Sequence, residues 1–231
     1  MPSDTPYWIA FGDIHGHVNR LSDIPELPGA AGVIITGDLT NRGGVTEAAR
    51  VVEAVSAINP RVMAQIGNMD YEPVQVWLDE SGRGIHAHAV ELAPGLGLMG
   101  VGWSSPTPFG TPSEAPDGQL AEWLEETYEK ARKFKHLILV SHTPPHNTTA
   151  DVVGPGTHVG SKAVRAFIER VKPELCITGH IHEARGTDMI GETLVINPGD
   201  LASGGYVLVG FKGGKVTGEL RIMDTGERRG K

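Results

Sequence analysis

Five apolar runs in this chain each stop at a glycine or serine that is followed at once by a side chain able to bind a metal. They end at Asp13 after Gly12, Asp38 after Gly37, Asn68 after Gly67, His142 after Ser141 and His180 after Gly179. The runs themselves, residues 7–11, 33–36, 61–66, 137–140 and 175–178, are short and rich in Val, Ile and Leu, which suits buried strands. In open α/β sheets the carboxyl ends of the strands line one crevice, and ligands bind there. A single such end has an ordinary explanation, because Asp and Asn after Gly favour turns. Five with this residue set predict one shared site. Two of the ends carry a second donor two positions on, His15 and His182. In extended backbone, residues i and i+2 face the same side, so either pair can clasp a metal.

The stretches between these runs read as helices and loops. A short helix is expected over about residues 17–27, closed by Pro25 and Pro28. Ala48, Val51, Val52, Val55 and Ile58 recur at helical spacing, and Pro60 ends the pattern. Leu120, Trp123, Leu124, Tyr128 and Ala131 mark another amphipathic face. Ser161 is placed to cap a helix whose apolar side is Val164, Phe167, Ile168 and Val171. This βαβα rhythm predicts a mostly parallel sheet with helices packed on it. Residues 84–103 read as a hairpin turning at Pro94-Gly95, with His86 and His88 on one solvated strand face. Residues 104–118 carry four prolines and must form a loop, of a length that is usually functional. Short strands follow at 193–196, 206–211 and 216–222, and the tail 227–231 is expected to fray. With no repeat and no linker, residues 1–231 read as one domain.

Composition narrows the function. A formal net charge of −8 over 231 residues argues against an extended nucleic-acid surface, which needs clustered Lys and Arg. Cys176 is the sole cysteine, so a reducing compartment is the natural reading, and its apolar surroundings read as a buried thiol. Residues 1–6 lack a basic n-region and an apolar h-region, and no run approaches membrane-spanning length. The expectation is a soluble cytoplasmic protein with no membrane partner.

The ordered series Gly12-Asp13-Ile14-His15-Gly16, Gly37-Asp38-Leu39-Thr40-Asn41-Arg42-Gly43, Gly67-Asn68-Met69-Asp70, Ser141-His142 and Gly179-His180-Ile181-His182 resembles the calcineurin-like metallophosphoesterase superfamily. The strings at 106–112 and His142-Thr143-Pro144-Pro145 are similar to those of its small prokaryotic, phosphodiesterase-type members. The resemblance implies an α/β fold (α+β by some schemes): a four-layer αββα sandwich of two mixed sheets flanked by helices, with the metal site at strand C-terminal ends. It also implies two divalent ions, one on Asp13, His15, Asp38 and His182, the other on Asp38, Asn68, His142 and His180, with Asp38 bridging. Such a donor set suits Mn, Fe, Zn, Co or Ni rather than Mg or Ca. Two such ions against two Asp and a bridging hydroxide leave one net positive charge, which attracts a phosphate anion. The implied chemistry is in-line attack of that hydroxide on a phosphodiester of small size, with Asp38, Asn68 and His142 as catalytic residues.

Two positions depart from the pattern. Many superfamily members carry His after the motif's Asn, paired with an Asp in the second motif, as a leaving-group acid; here these positions are Met69 and Asn41. General acid help is worth roughly 10²–10⁴-fold. The expectation is therefore good activity on diesters and activated aryl phosphates and weak activity on alkyl monoesters. Asn41, Arg42, Phe109 and His17 are candidate substrate contacts, Arg42 through its guanidinium and Phe109 by stacking. His17, His146 and His158 are the candidates to replace the missing acid. The competing readings are a nuclease on nucleic-acid ends, a phosphomonoesterase or nucleotidase, and a non-catalytic scaffold.

Overall fold

The computed structural model describes residues 5–223, so the tail at 227–231 and most of the N-terminal segment lie outside the described residues. The first half of the chain runs β1 (Tyr7–Phe11), β2 (Gly32–Ile35), α1 (Val45–Ser56), β3 (Val62–Ala64), α2 (Glu72–Glu80), β4 (Ala89–Ala93), β5 (Leu96–Val101) and α3 (Asp117–Ala131). The second half runs β6 (His136–Ser141), β7 (Val152–Val153), β8 (Thr157–His158), α4 (Lys162–Val171), β9 (Leu175–Ile177), β10 (Gly186–Ile190), β11 (Thr193–Asn197), β12 (Gly205–Lys212) and β13 (Lys215–Ile222).

These strands form two large mixed sheets and one small hairpin. One sheet has the order β13-β12-β1-β2-β3 and the other β10-β11-β9-β6-β5-β4, with β7 and β8 paired separately. Within the first, β1, β2 and β3 are parallel while β12 and β13 return antiparallel. Within the second, β5, β6, β9 and β11 are parallel and β4 and β10 are antiparallel edges.

Side-chain alternation along each strand explains the layering. Trp8, Ala10 and Ile34 of the first sheet join Ile138, Val140, Leu175 and Ile177 of the second in one buried cluster between the sheets. Their sequence neighbours Ile9, Phe11, Val33 and Ile35 point the other way, onto Val51, Val52, Val55, Val74 and Leu78 of α1 and α2. Leu137, Leu139 and Cys176 likewise face Leu120, Leu124, Val164, Phe167 and Ile168 of α3 and α4. Helix, sheet, sheet and helix are thus separated by three apolar clusters, which gives the four layers implied by the sequence motifs. Ser161 caps α4 as its position suggests, its Oγ accepting from Val164 N at 3.0 Å.

Local readings that did not hold have identifiable causes. The single mostly parallel sheet expected from the βαβα rhythm is two mixed sheets, because β12 pairs with β1 and β4 with β5 in antiparallel register. The expected helix at 17–27 is reduced to 3₁₀ turns at Leu21–Asp23 and Leu27–Gly29. Pro25 and Pro28 remove the amide hydrogens that a continuous helix would need. Helix α2 and strands β7, β8 and β10 were not foreseen. His86 and His88 do not share a solvated face. His86 is buried between the rings of Trp103 and Trp123, at 4.4 and 4.8 Å, and accepts from Gly102 N at 3.1 Å. His88 lies 3.3 Å from Asp79, a carboxylate partner the sequence did not reveal. The left-handed backbone at Ala87 breaks the strand alternation between them. Among the described residues, no helix is long and apolar enough to cross a membrane.

Candidate metal centre

The parallel strands β1, β2 and β3 of one sheet and β6 and β9 of the other point their carboxyl ends at the same edge of the sandwich, and each end delivers its predicted donor there. Asp13 and His15 follow β1, Asp38 follows β2, Asn68 follows β3, His142 follows β6, and His180 and His182 follow β9. The route taken by the first pair differs from the extended backbone expected for it. Strand β1 stops at Phe11, and Asp13 and His15 both sit in left-handed backbone, at φ 49° and 48°. The cause is a tight turn laid against the next loop: Ile14 N and His15 N donate to Asp38 O at 2.8 and 3.0 Å, and Gly16 N to Leu39 O at 2.9 Å. Asp38 and His180 are left-handed as well. Strain of this kind persists where surrounding structure over-determines it, typically at functional sites.

The donor atoms crowd together. His15 Nε2 and His182 Nε2 lie 3.2 Å apart, and His182 Nε2 lies 3.2 Å from Asp13 Oδ1. Asn68 Oδ1 is 3.1 Å from His142 Nε2 and 2.7 Å from His180 Nδ1. Asp38 Oδ1 accepts from Met69 N at 2.7 Å, which leaves Oδ2 facing His142 Nε2 at 3.5 Å and His15 Nε2 at 3.9 Å. Asp13, His15 and His182 form one group of mutually close donors, and Asp13, Asp38 and His142 another. Two glycines permit this approach. A Cβ at Gly67 would stand 2.1 Å from Asp38 Oδ1, and one at Gly179 would stand 2.4 Å from Asp13 Oδ2.

Electrostatics inside the group is set by burial and charge together. Burial works against ionisation of Asp13, but the hydrogen bond from His182 and the nearby imidazoles outweigh it and hold the carboxyl at about 2. Burial also opposes protonation of His142, yet the Asp38 charge and hydrogen bond raise it to about 9. His180, dominated by burial, falls to about 4. The residues fit a metal. Imidazole nitrogens and an amide oxygen converge on two carboxylates, and so many lone pairs in one place are better satisfied by cations than by the few protons available. His15 shows the second contact typical of a metal-ligating imidazole, its Nδ1 lying 3.2 Å from Thr40 O.

A cavity of about 930 Å³ opens over these donors, lined by six of the seven; His142, fully buried, stands behind them. The four candidate substrate contacts, His17, Asn41, Arg42 and Phe109, all line it, as does Met69. Arg42 directs Nη2 to the carbonyls of Phe109 and Gly110 at 3.3 and 3.2 Å. His146 and His158 are not brought to the cavity. Both face the buried carboxylate of Asp151, at 3.5 and 2.7 Å.

Two further acids belong to the site. Asp70 accepts hydrogen bonds from Leu39 N, Thr40 N, Thr40 Oγ1 and Gly67 N at 2.8–3.1 Å and so pins the β2 and β3 ends together. Asp200 lines the cavity and ends another parallel strand, β11, where Gly199-Asp200 repeats the Gly-then-donor rule. That repeat was the signal that could have found it.

Comparison with known proteins finds a family match and shared folds. The model of the calcineurin-like phosphoesterases matches residues 9–184. An uncharacterized protein, MJ1162 of Methanocaldococcus jannaschii, is 33% identical over 204 residues, covering 82% of this chain and 86% of that one. The crystal structure of TT1561 of Thermus thermophilus superposes with a TM-score of 0.71 at 21% identity, over 95% of this chain and 100% of that one. The 5′-nucleotidase of Candida albicans shares the fold with a TM-score of 0.55 at 13% identity, over 96% of this chain and 52% of that one.

Proposed function

Because the chain belongs to the calcineurin-like phosphoesterase family, we propose that it is a metal-dependent phosphodiesterase acting on a small ester such as a nucleotide. Bound among the seven donors, two divalent ions would supply Lewis-acid stabilisation of phosphoryl charge and a nucleophile from water near neutral pH. The chain's own part is to hold and orient. Asp38, fixed through Oδ1 by the Met69 N–H, offers Oδ2 to both halves of the donor set. Asp13, His15 and His182 complete one half, and Asn68, His142 and His180 the other. The Nδ1–H of His15 donated to Thr40 O keeps its Nε2 lone pair turned inward.

Met69 decides the substrate preference. Met69 lines the cavity, and a thioether carries no proton to give a departing oxygen. His17 is the imidazole outside the ligand set that reaches the same cavity among the described residues. It stands at the exposed rim, so esters whose leaving group is already stabilised gain most. The observation that carries this reading is the convergence of seven donors beneath a cavity with Met69 in its wall. It also weighs against the scaffold reading, since each ligand position keeps its donor. The cavity's acids, Glu183 and Asp200, disfavour a nuclease. We take the setting to be cytoplasmic, in keeping with a lone, buried Cys176.

The test is a matched pair, an alkyl phosphate monoester and the corresponding diester, assayed with Mn²⁺. Higher kcat/KM for the diester is expected; faster turnover of the monoester would overturn the assignment.

A further inference from the structure

Resting on the phosphoesterase reading and narrowing it, we infer that the cavity takes phosphate esters carrying one uncharged flat ring system, of nucleoside type, seated on the ring of Phe109. The cavity wall beyond the donor set is largely apolar: Pro106, Pro108 and Phe109 come from the proline-rich loop, interspersed with Ser105, Thr107 and Thr111, and Val153 and Val159 come from the region of the β7–β8 hairpin. Among the described lining residues, Arg42 is the one Lys or Arg, and it directs Nη2 to loop carbonyls. Outside the donor set, the other carboxylates that line the cavity are Glu183 and Asp200. A second phosphate or a carboxylate would meet an apolar wall and two like charges, whereas a neutral ring meets apolar surface. The ligand cluster therefore serves one phosphate and the remaining volume serves its organic part.

Phe109 is the surface built for that part. The residue is 78% exposed, yet its backbone is held on both sides. Its N–H donates to Thr107 Oγ1 at 3.2 Å and its carbonyl accepts from Arg42. Glu114 gathers Thr107 Oγ1 at 2.6 Å and Thr111 N at 2.7 Å across the loop. Ser104 N bonds Ser113 O at 3.2 Å, closing the loop, and Ser113 N bonds Asn68 O at 3.0 Å, tying it to a ligand residue. A loop ordered in advance loses little freedom on binding, so the apolar area a substrate covers on Phe109 converts more fully into affinity. Fixing the loop to the Asn68 backbone also fixes the distance from ring to reacting phosphorus, which selects the length of the ester.

Two substrates with the same five-membered cyclic phosphodiester test this: adenosine 2′,3′-cyclic phosphate, which carries the ring system, and ethylene phosphate, which does not. With the metal-loaded chain, the adenosine ester should have the higher kcat/KM. Phe109→Ala should lower that preference roughly 5- to 150-fold, mainly through KM, and Phe109→Tyr should retain most of it. Equal kcat/KM for the two esters in the unaltered protein overturns the inference while leaving the phosphoesterase reading intact. So does an equal loss on both esters in Phe109→Ala, which would mark a displaced loop. Hydrolysis of neither ester would overturn the phosphoesterase reading itself, and the inference with it.

Discussion

The backbone N–H of Met69 donates to Oδ1 of Asp38 at 2.7 Å, so the residue that removes the leaving-group acid also aims the carboxylate shared by both halves of the donor set. On the proposed function, position 69 acts twice, through its backbone on the donor set and through its side chain on substrate choice. Replacing the side chain leaves the first role in place.

Asp38→Asn removes a charge at the centre of the cluster while keeping the shape. The loss of a metal-affinity contact in a supporting shell typically costs 10- to 100-fold, and a direct ligand costs at least that. Hydrolysis of bis(4-nitrophenyl) phosphate should fall by about 100-fold or more, with an unchanged circular dichroism spectrum. Activity near that of the unaltered protein would show that Asp38 is not a ligand.

Asp70 supports the site from below. Asp70→Ala leaves the buried N–H groups of Leu39, Thr40 and Gly67 without their acceptor, each worth about 1–3 kcal/mol. Urea unfolding should show a loss of about 3 kcal/mol or more. Metal titration of the folded fraction should show affinity reduced about 10- to 100-fold. Unaltered metal affinity would confine Asp70 to stability.

Met69→His together with Asn41→Asp places a proton donor and its carboxylate partner at two positions that both line the cavity. Turnover of an alkyl monoester should rise by about 10²-fold, with a smaller change on an aryl diester. Equal gains on both would mean that proton donation does not limit monoester cleavage.

His86 gives the fold a sensitivity to acid. Burial, with smaller contributions from His88 and Lys130, lowers it to about 4 from the ordinary 6.5. The folded chain keeps it neutral while the unfolded chain protonates it, so stability is full above about pH 6.5 and declines down to about pH 4. The loss reaches about 3 kcal/mol. His86→Asn, whose amide oxygen can still accept from Gly102 N, should be less stable at pH 7.5 and lose less on going to pH 4.5. Parallel declines in urea unfolding would contradict this.

Much of the donor cluster was legible because its residues obey local chemistry. Gly-Asp, Gly-Asn and Gly-His at strand ends are visible in one dimension, and six of the seven donors line one cavity with His142 buried behind them. The Asp13–His15 backbone was less legible, since its left-handed turn depends on hydrogen bonds to Asp38 O and Leu39 O, residues of the loop that follows β2. The two-sheet arrangement follows from motif order but not from periodicity, because β12 returns across the whole chain to pair with β1. The burial of His86 depends on Trp103 and Trp123, one of them on a helix that packs later in the chain. Contacts of that kind leave no local pattern.

On the proposed function, these seven side chains hold a pair of metal ions needed for diester hydrolysis. The most direct measurement is titration of chelator-stripped protein with Mn²⁺, following bis(4-nitrophenyl) phosphate hydrolysis alongside metal bound per chain. Activity should be absent at the start and reach its plateau near two bound ions per chain. Undiminished hydrolysis by the stripped protein, or a plateau with no ion bound, would contradict it.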